Sequence, residues 1–331
     1  MSRLRLGFVG AGSMGQAAHL RNYVTLPDCE VVALAEVRPK LARGVADRYG
    51  IPAVYADHGE MIRDEKLDGI VAIQQFQNHV RLIPDLVEFG LPVITEKPLA
   101  ESVQNGRKIL ESVKGSLYLA YHKRSDPATE YAVQTITSWK ESGEAGRLRY
   151  VRITMPPGDW AWDGFASNVT TDEAYESTPF DLSSPYVMFV NYYIHQVNLM
   201  RFLLGEDYEV VYADPGGITL CVRTGSGVSG TLEMAPYETP HDWQESALVA
   251  FEKGWIRIDL PAPLAYDQSG RVTIYREGYS QPALPHVHAM KAQASNFLKA
   301  IRGEPHPLCG AEEAFKDLLV AERYLELAAA K

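Results

Sequence analysis

An acid, a base and a proline end the short apolar run Val93-Ile94-Thr95, as Glu96-Lys97-Pro98. A brief apolar run suits a parallel strand buried on both faces, and the carboxyl ends of such strands hold ligands in open α/β sheets. There an amine pushed towards its neutral form by a nearby cation can accept a hydroxyl proton. Pro98 restricts the turn that aims Lys97. Alone, the three residues read more simply as a surface Glu-Lys pair on a loop; the surrounding chain changes that balance.

A second group lies at the start of the chain. The strand-like Leu4–Val9 runs into Gly10-Ala11-Gly12-Ser13-Met14-Gly15, and a helical pattern over residues 13–26 stops at Pro27. The G-x-G-x-x-G spacing is weak evidence alone, but here it sits between a first strand and a helix, as its mechanism requires. Gly10 permits a tight turn, Gly12 lets a pyrophosphate approach the backbone, and Gly15 allows helix–strand packing. Glu36 ends the next apolar run, Val31–Ala35, about twenty residues beyond the glycines, where a carboxylate can hold both hydroxyls of an adenosine ribose. The same carboxylate repels a 2′-phosphate, which favours NAD over NADP. Arg38 is placed to soften that preference. A solvated strand end is the simpler account of Glu36, and its spacing argues against it.

The elements needed to position these residues follow in alternation. Pro39–Tyr49 reads as a helix stopped by Gly50, and Asp68–Ile73 as a strand ending in the polar cluster Gln74-Gln75-Phe76-Gln77-Asn78-His79. Gln74 and His79 are candidates to touch a nicotinamide ribose, although His79 equally suits a helix start satisfied by backbone. A helix to Phe89 carries Pro84, which predicts a kink. Then come the Glu96-Lys97-Pro98 strand, a helix over Ser102–Val113 and a strand over Leu117–Tyr121. Such alternation predicts a doubly wound parallel sheet of Rossmann type.

At 331 residues the chain suits two domains, here a dinucleotide-binding domain over 1–122 and a substrate and oligomerisation domain over 123–331. Beyond a helix at Thr129–Glu141, seven short runs predict an α+β domain with an open, mostly antiparallel sheet: Tyr150–Met155, Glu209–Ala213, Ile218–Arg223, Val228–Met234, Ala247–Glu252, Trp255–Leu260 and Val272–Arg276. Helices at His288–Arg302 and Ala311–Leu327 close the chain. Net charge is −10 without blocks of like charge, which argues against nucleic acid. Cys29, Cys221 and Cys309 are far apart and odd in number, giving neither a disulfide framework nor a metal-ligand spacing, and a reducing cytoplasm fits. The first ten residues spell a strand, and no apolar run reaches the length of a membrane span.

Two stretches of the second half carry candidate chemistry. The connection from Pro156 to Asn191 is longer than a passive linker and holds Trp160, Trp162, Phe165, Tyr175, Phe180, Tyr186 and Phe189. With Asp159, Asp163, Asn168 and Asp181 these rings suit a polyhydroxylated ring, or equally a small satellite core. Next, Asn191, His195 and Asn198 share one polar face if 191–199 is a continuous helix, beside Tyr192.

The glycine turn, His79 eleven residues before Gly90, Glu96-Lys97-Pro98, Tyr121–Pro127 and Ser142–Gly146 together resemble the Gfo/Idh/MocA oxidoreductase family, over essentially the whole chain. That family includes glucose–fructose oxidoreductase and inositol dehydrogenases. The resemblance implies a homo-oligomer, dimer or tetramer, formed through the second domain's sheet. It also implies a catalytic helix of the form Asp-x-x-x-His-x-x-Asp, in which this chain keeps His195 but has Asn191 and Asn198 at the acid positions. Without a carboxylate His195 is a weaker base, which shifts weight to Lys97.

The expectation is an NAD(P)-dependent oxidoreductase acting on a hydroxyl of a sugar, cyclitol or sugar derivative. Lys97 and His195 handle the proton, with Trp160, Trp162, Asn191 and Tyr192 around the substrate. Gly10, Gly12, Ser13, Met14, Gly15, Glu36, Arg38, Gln74, His79, Glu96 and Lys97 line the cofactor. No metal, membrane or nucleic-acid partner is expected. Two alternatives stay open. One is a glycosidase or lyase that oxidises, eliminates and re-reduces with bound NAD, using Tyr192 or Tyr193 as acid/base groups. The other is a nucleotide-binding sensor without catalysis, against which Lys97 and His195 count. A hydroxy-acid dehydrogenase fits less well, because no motif places an arginine to clamp a carboxylate.

Overall fold

The computed structural model describes residues 2–175, 181 and 183–330. The chain forms two compact units. The first comprises the residues through Tyr121 together with Asp163–Val187 and Gln293–Leu318; the second comprises His122–Trp162, Met188–Ala292 and the chain from Leu319. A contiguous division after residue 122 therefore omits two later segments that pack with the nucleotide fold. Hydrogen bonds from the loop and docking of the helix bring them there, and neither leaves a mark in local sequence pattern.

In the first unit, β1 (Leu4–Val9), β2 (Cys29–Ala35), β3 (Ala53–Tyr55), β4 (Gly69–Ala72), β5 (Val93–Thr95) and β6 (Leu117–Leu119) form one sheet in the order β6-β5-β4-β1-β2-β3, all parallel. The two-residue strand Cys309–Gly310 adds an antiparallel edge beside β6. β3 is short and only partly buried, and it carries no clear sequence signal. The central strands are buried on both faces, with Leu6, Phe8, Leu34, Val71 and Ile94 at or below 1% exposure, as helices on both sides of a parallel sheet demand. Phe297, on the helix Ala289–Ile301, is fully buried and meets Tyr23 and Tyr118 edge-on, at 6.4 and 6.3 Å. Its truncation to alanine costs about 3–5 kcal/mol.

Local chemistry sets the helix ends. Pro39–Tyr49 starts on its proline and stops at Gly50, whose φ of +69° is left-handed. Val103–Ser112 begins where Ser102 accepts the Asn105 amide.

The second unit holds β7 (Leu148–Thr154), β8 (Tyr208–Ala213), β9 (Thr219–Thr224), β10 (Ser229–Glu233), β11 (Glu245–Phe251), β12 (Gly254–Leu260), β13 (Arg271–Tyr275) and β14 (Tyr279–Ser280). Their order is β14-β13-β12-β11-β7-β10-β9-β8, antiparallel except for β7 with β10. Burial alternates along β11, so one face is buried and the other only partly so. The helix Pro127–Ser142 starts at Asp126, whose carboxylate accepts the Ala128 amide and, from across the fold, that of Gly270.

Candidate functional site

In the first unit β4, β1 and β2 are neighbours in the sheet, so the segments that follow their carboxyl ends lie side by side. Gly10 has φ +94°, and a Cβ there would lie 2.3 Å from both Gln74 Nε2 and the Ile73 carbonyl oxygen. A Cβ on Gly15 would lie 2.8 Å from the Gly10 carbonyl oxygen. Both glycines are thus required by the protein's own packing. Gly12 differs: a Cβ there would meet nothing within 4 Å. The turn keeps an open cradle at the glycine expected to admit a pyrophosphate, and the residues present fit a dinucleotide. Ser13 and Met14 begin the helical turns that continue as the wide-turned segment Gly15–Leu20 and then Arg21–Tyr23.

Glu36 is buried at the end of β2, and both of its oxygens are engaged. Oε2 accepts the Ala11 amide at 2.9 Å and Arg38 Nη2 at 3.0 Å; Oε1 accepts Arg38 Nε at 2.8 Å. Arg38 thus closes on Glu36 instead of standing ready for a phosphate.

Glu96 and Lys97 follow β5, and the Lys97–Pro98 peptide is cis. His19 Nε2 lies 2.7 Å from Glu96 Oε1. Burial works to raise the Glu96 carboxyl, but the His19 hydrogen bond and the charges of His19 and Lys97 outweigh it and hold the group below its ordinary value. The Lys97 amide donates to Glu96 Oε2 at 3.2 Å, so one carboxylate ties the glycine-turn helix to the lysine turn. His19 was not among the sequence candidates. It lies 77 positions from Glu96, and only the fold pairs them.

His79 departs from its expected role beside a ribose. It is wholly buried, with Nδ1 3.2 Å from the Leu99 carbonyl and Nε2 3.2 Å from the Thr95 hydroxyl. Burial lowers its pKa to about 4, so the ring is neutral at physiological pH. It braces the turn carrying Lys97 from behind. Gln74 stands against the glycine turn, its Nε2 2.3 Å from where a Gly10 Cβ would lie, and its Oε1 accepts the Tyr175 hydroxyl at 3.2 Å.

In the second unit the polar helix is broken. Pro185–Tyr192 ends and Ile194–Leu204 begins on either side of Tyr193, so Asn191 and His195 lie on different helices and do not share the continuous face predicted for them. At the break Tyr193 is held from outside the helix. The Tyr193 hydroxyl donates to the Met234 carbonyl at 2.8 Å, and its ring meets the Tyr192 ring edge-on. Asn191 is exposed, His195 half-buried and Asn198 fully buried. Asn198 Oδ1 accepts Arg124 Nη1 at 3.3 Å, while that guanidinium lies 4.1 Å from the Phe202 ring centre. The His195 ring meets the His122 ring edge-on at 4.6 Å. Beneath them Glu245 binds Lys123 and accepts Gln196 Nε2 at 2.6 Å, with all three side chains buried. His122, Lys123 and Glu245 were not among the candidates either.

The long aromatic connection divides. Trp160 and Trp162 belong to the second unit and are 36% and 47% exposed. Trp162 and Asp163 both have left-handed φ, of 43° and 58°. Asn168 and Tyr175 pack instead on the nucleotide fold, which corrects the expectation that they serve the substrate. Phe180 lies outside the described residues. Among the described residues no group of three or more His, Cys, Asp or Glu side chains could hold a metal, and no helix is long and apolar enough to cross a membrane.

A glycine turn with an open face, an acid at the second strand's end and a lysine beside the fifth are features of a dinucleotide-binding Rossmann fold. Residues 4–118 match the Gfo/Idh/MocA profile, described as an oxidoreductase family with an NAD-binding Rossmann fold. The first third of the chain is thus similar to that family. The rhizopine catabolism protein MocA of Rhizobium meliloti is 26% identical over 99% of this chain and 96% of its own length. An inositol 2-dehydrogenase of Burkholderia lata is 27% identical over 82% of this chain and 78% of its own. A levoglucosan dehydrogenase solved with NADH and levoglucosan shares the fold, with a TM-score of 0.74 at 18% identity over 99% of this chain and 98% of that one.

Proposed function

We propose that this protein is an NAD-dependent dehydrogenase that oxidises a secondary hydroxyl of a cyclitol or sugar. The observation that carries the reading is the open cradle at Gly12, flanked by the buried Glu36 and followed along the sheet by Glu96-Lys97. The names of the relatives, an inositol 2-dehydrogenase and a levoglucosan dehydrogenase, supply the substrate class.

NAD, when bound, supplies the hydride acceptor. Gly10, Gly12, Ser13, Met14 and Gly15 hold the pyrophosphate, Glu36 the adenosine ribose and Gln74 the nicotinamide half. The Glu36 carboxylate repels a 2′-phosphate, which favours NAD over NADP. Lys97 takes the hydroxyl proton, its position fixed by Glu96 and His79. His195 is the second proton-handling group, steadied by His122. Trp160, Trp162 and Tyr192 face the substrate, and their flat rings suit its apolar C–H faces. The elimination route has less support, since the Tyr193 hydroxyl is committed to Met234 and burial raises the pKa of both Tyr192 and Tyr193. The reading includes a homo-oligomer formed through the second unit's sheet, on which Val211, Tyr212 and Tyr279 are exposed.

The test is a fluorescence titration with NADH and NADPH, followed by absorbance assays with NAD on myo-inositol, other cyclitols and aldoses. Tighter binding of NADH and reduction of NAD by at least one polyol support the reading. Absence of NADH binding sinks it.

A further inference from the structure

The segment Asn168–Tyr175 lies in the first unit although it comes some fifty residues after the last strand of that unit's parallel series. It is bonded to the loops that follow β1, β2 and β4, whose carboxyl ends form the dinucleotide crevice. At the β1 loop, Asn168 Nδ2 donates to the Ser13 carbonyl at 3.1 Å. Gln16, 2% exposed, grips the Val169 backbone at both ends, accepting its amide at 2.8 Å and donating to its carbonyl at 3.0 Å. At the β2 loop, the Glu173 carboxylate accepts the Lys40 and Leu41 amides at 3.0 and 2.9 Å, capping the helix that begins at Pro39. Those bonds and the neighbouring Lys40 charge outweigh desolvation and lower the Glu173 pKa. At the β4 loop, the Tyr175 hydroxyl donates to Gln74 Oε1 at 3.2 Å and accepts Asn78 Nδ2 at 2.9 Å. Its ring lies 5.3 Å from the Arg38 guanidinium that covers Glu36.

Three anchors beyond three neighbouring strands of the sheet are more than a passing connection requires. A ribose held by Glu36 must displace Arg38, and the ring then next to it is Tyr175. We propose that Asn168–Tyr175 is a further wall of the dinucleotide site, a strap in which Tyr175 contacts the adenosine half and Glu173 is the anchor. This rests on the reading of the groove as an NAD site. The strap must lift for the dinucleotide to leave, so it governs release more than equilibrium affinity. Glu173 acts as a positioning residue, since its oxygens bind backbone amides and not the ligand.

Stopped-flow displacement of NADH by excess NAD measures the dissociation rate in wild type, Glu173→Ala, Tyr175→Ala and Asp172→Asn. Glu173→Ala is expected to speed release roughly tenfold, the worth of a charged cap, with unchanged NADH fluorescence when bound. Tyr175→Ala is expected to speed release and weaken affinity. Asp172→Asn is the control, because its pair with Lys40 is exposed on both sides. Thermal melts establish that each variant is folded. Wild-type release rates in both Glu173→Ala and Tyr175→Ala overturn the strap and leave the NAD site standing. A wild-type protein that binds no NADH overturns the site itself.

Discussion

In the first unit Glu96 binds His19 at a strand end, and 13% of its side chain stays accessible; in the second unit Glu245 binds Lys123 with none. Both are carboxylate–base pairs near a residue proposed to move protons, Lys97 in one case and His195 in the other. The Glu96 pair touches the working turn directly, since the Lys97 amide is its third partner. The Glu245 pair is sealed under the helix and meets Gln196, one residue from His195, rather than the reacting group. A carboxylate at a groove edge can tune chemistry. One that is fully desolvated must satisfy its own charge first, and it serves as scaffold.

The largest effect is expected at Lys97. Lys97→Ala should lower kcat by ~10²–10⁴, the usual loss on removing a general base, with NADH affinity near wild type. Near-normal turnover on an established substrate would move the base elsewhere. Next is the sealed pair. Lys123→Ala leaves the Glu245 carboxylate buried with Gln196 alone and should cost about 3–5 kcal/mol in denaturant unfolding, whereas Lys123→Met with Glu245→Leu should cost less, about 1–3 kcal/mol for the buried Gln196 amide left without its acceptor. Equal losses in the two variants would mean that the pair contributes specific stability and is not mere scaffold.

The glycine turn gives a smaller and sharper contrast. Gly15→Ala forces a Cβ to 2.8 Å from the Gly10 carbonyl and should destabilise the protein by about 1–3 kcal/mol. Gly12→Ala should change stability by less than about 1 kcal/mol. Its methyl fills the cradle, so it should weaken NADH binding roughly tenfold, read by fluorescence titration. The opposite pattern would show that Gly12 serves the fold and not the ligand. The smallest effect concerns Asp126, where burial lifts the carboxyl to about 6 although the Ala128 and Gly270 amides pull it down. Because the folded-state value exceeds the unfolded one, this group's contribution to stability is greatest below about pH 4, falls as pH rises to about 6 and then levels off. Asp126→Asn should flatten that part of the profile in urea unfolding at stepped pH.

The helices that cap themselves, the glycine turn, the acid ending β2 and the Glu96-Lys97-Pro98 strand end were legible because each is local. A proline at a helix start, a glycine at a left-handed stop or a carboxylate at a fixed distance from a turn acts on neighbours a few residues away. The sequence also determined the two kinds of sheet, since continuous apolar runs and alternating ones bury different numbers of faces. Tertiary structure alone decided the partners. His19 with Glu96, Lys123 with Glu245 and Glu173 with the Lys40 and Leu41 amides span 77, 122 and about 130 positions. It also made His79 a brace rather than a ligand and broke the helix at Tyr193, through a hydroxyl that found the Met234 carbonyl 41 positions away. Hydrogen bonds and ion pairs between distant segments depend on where the folded backbone brings them, and no periodicity in the chain records that.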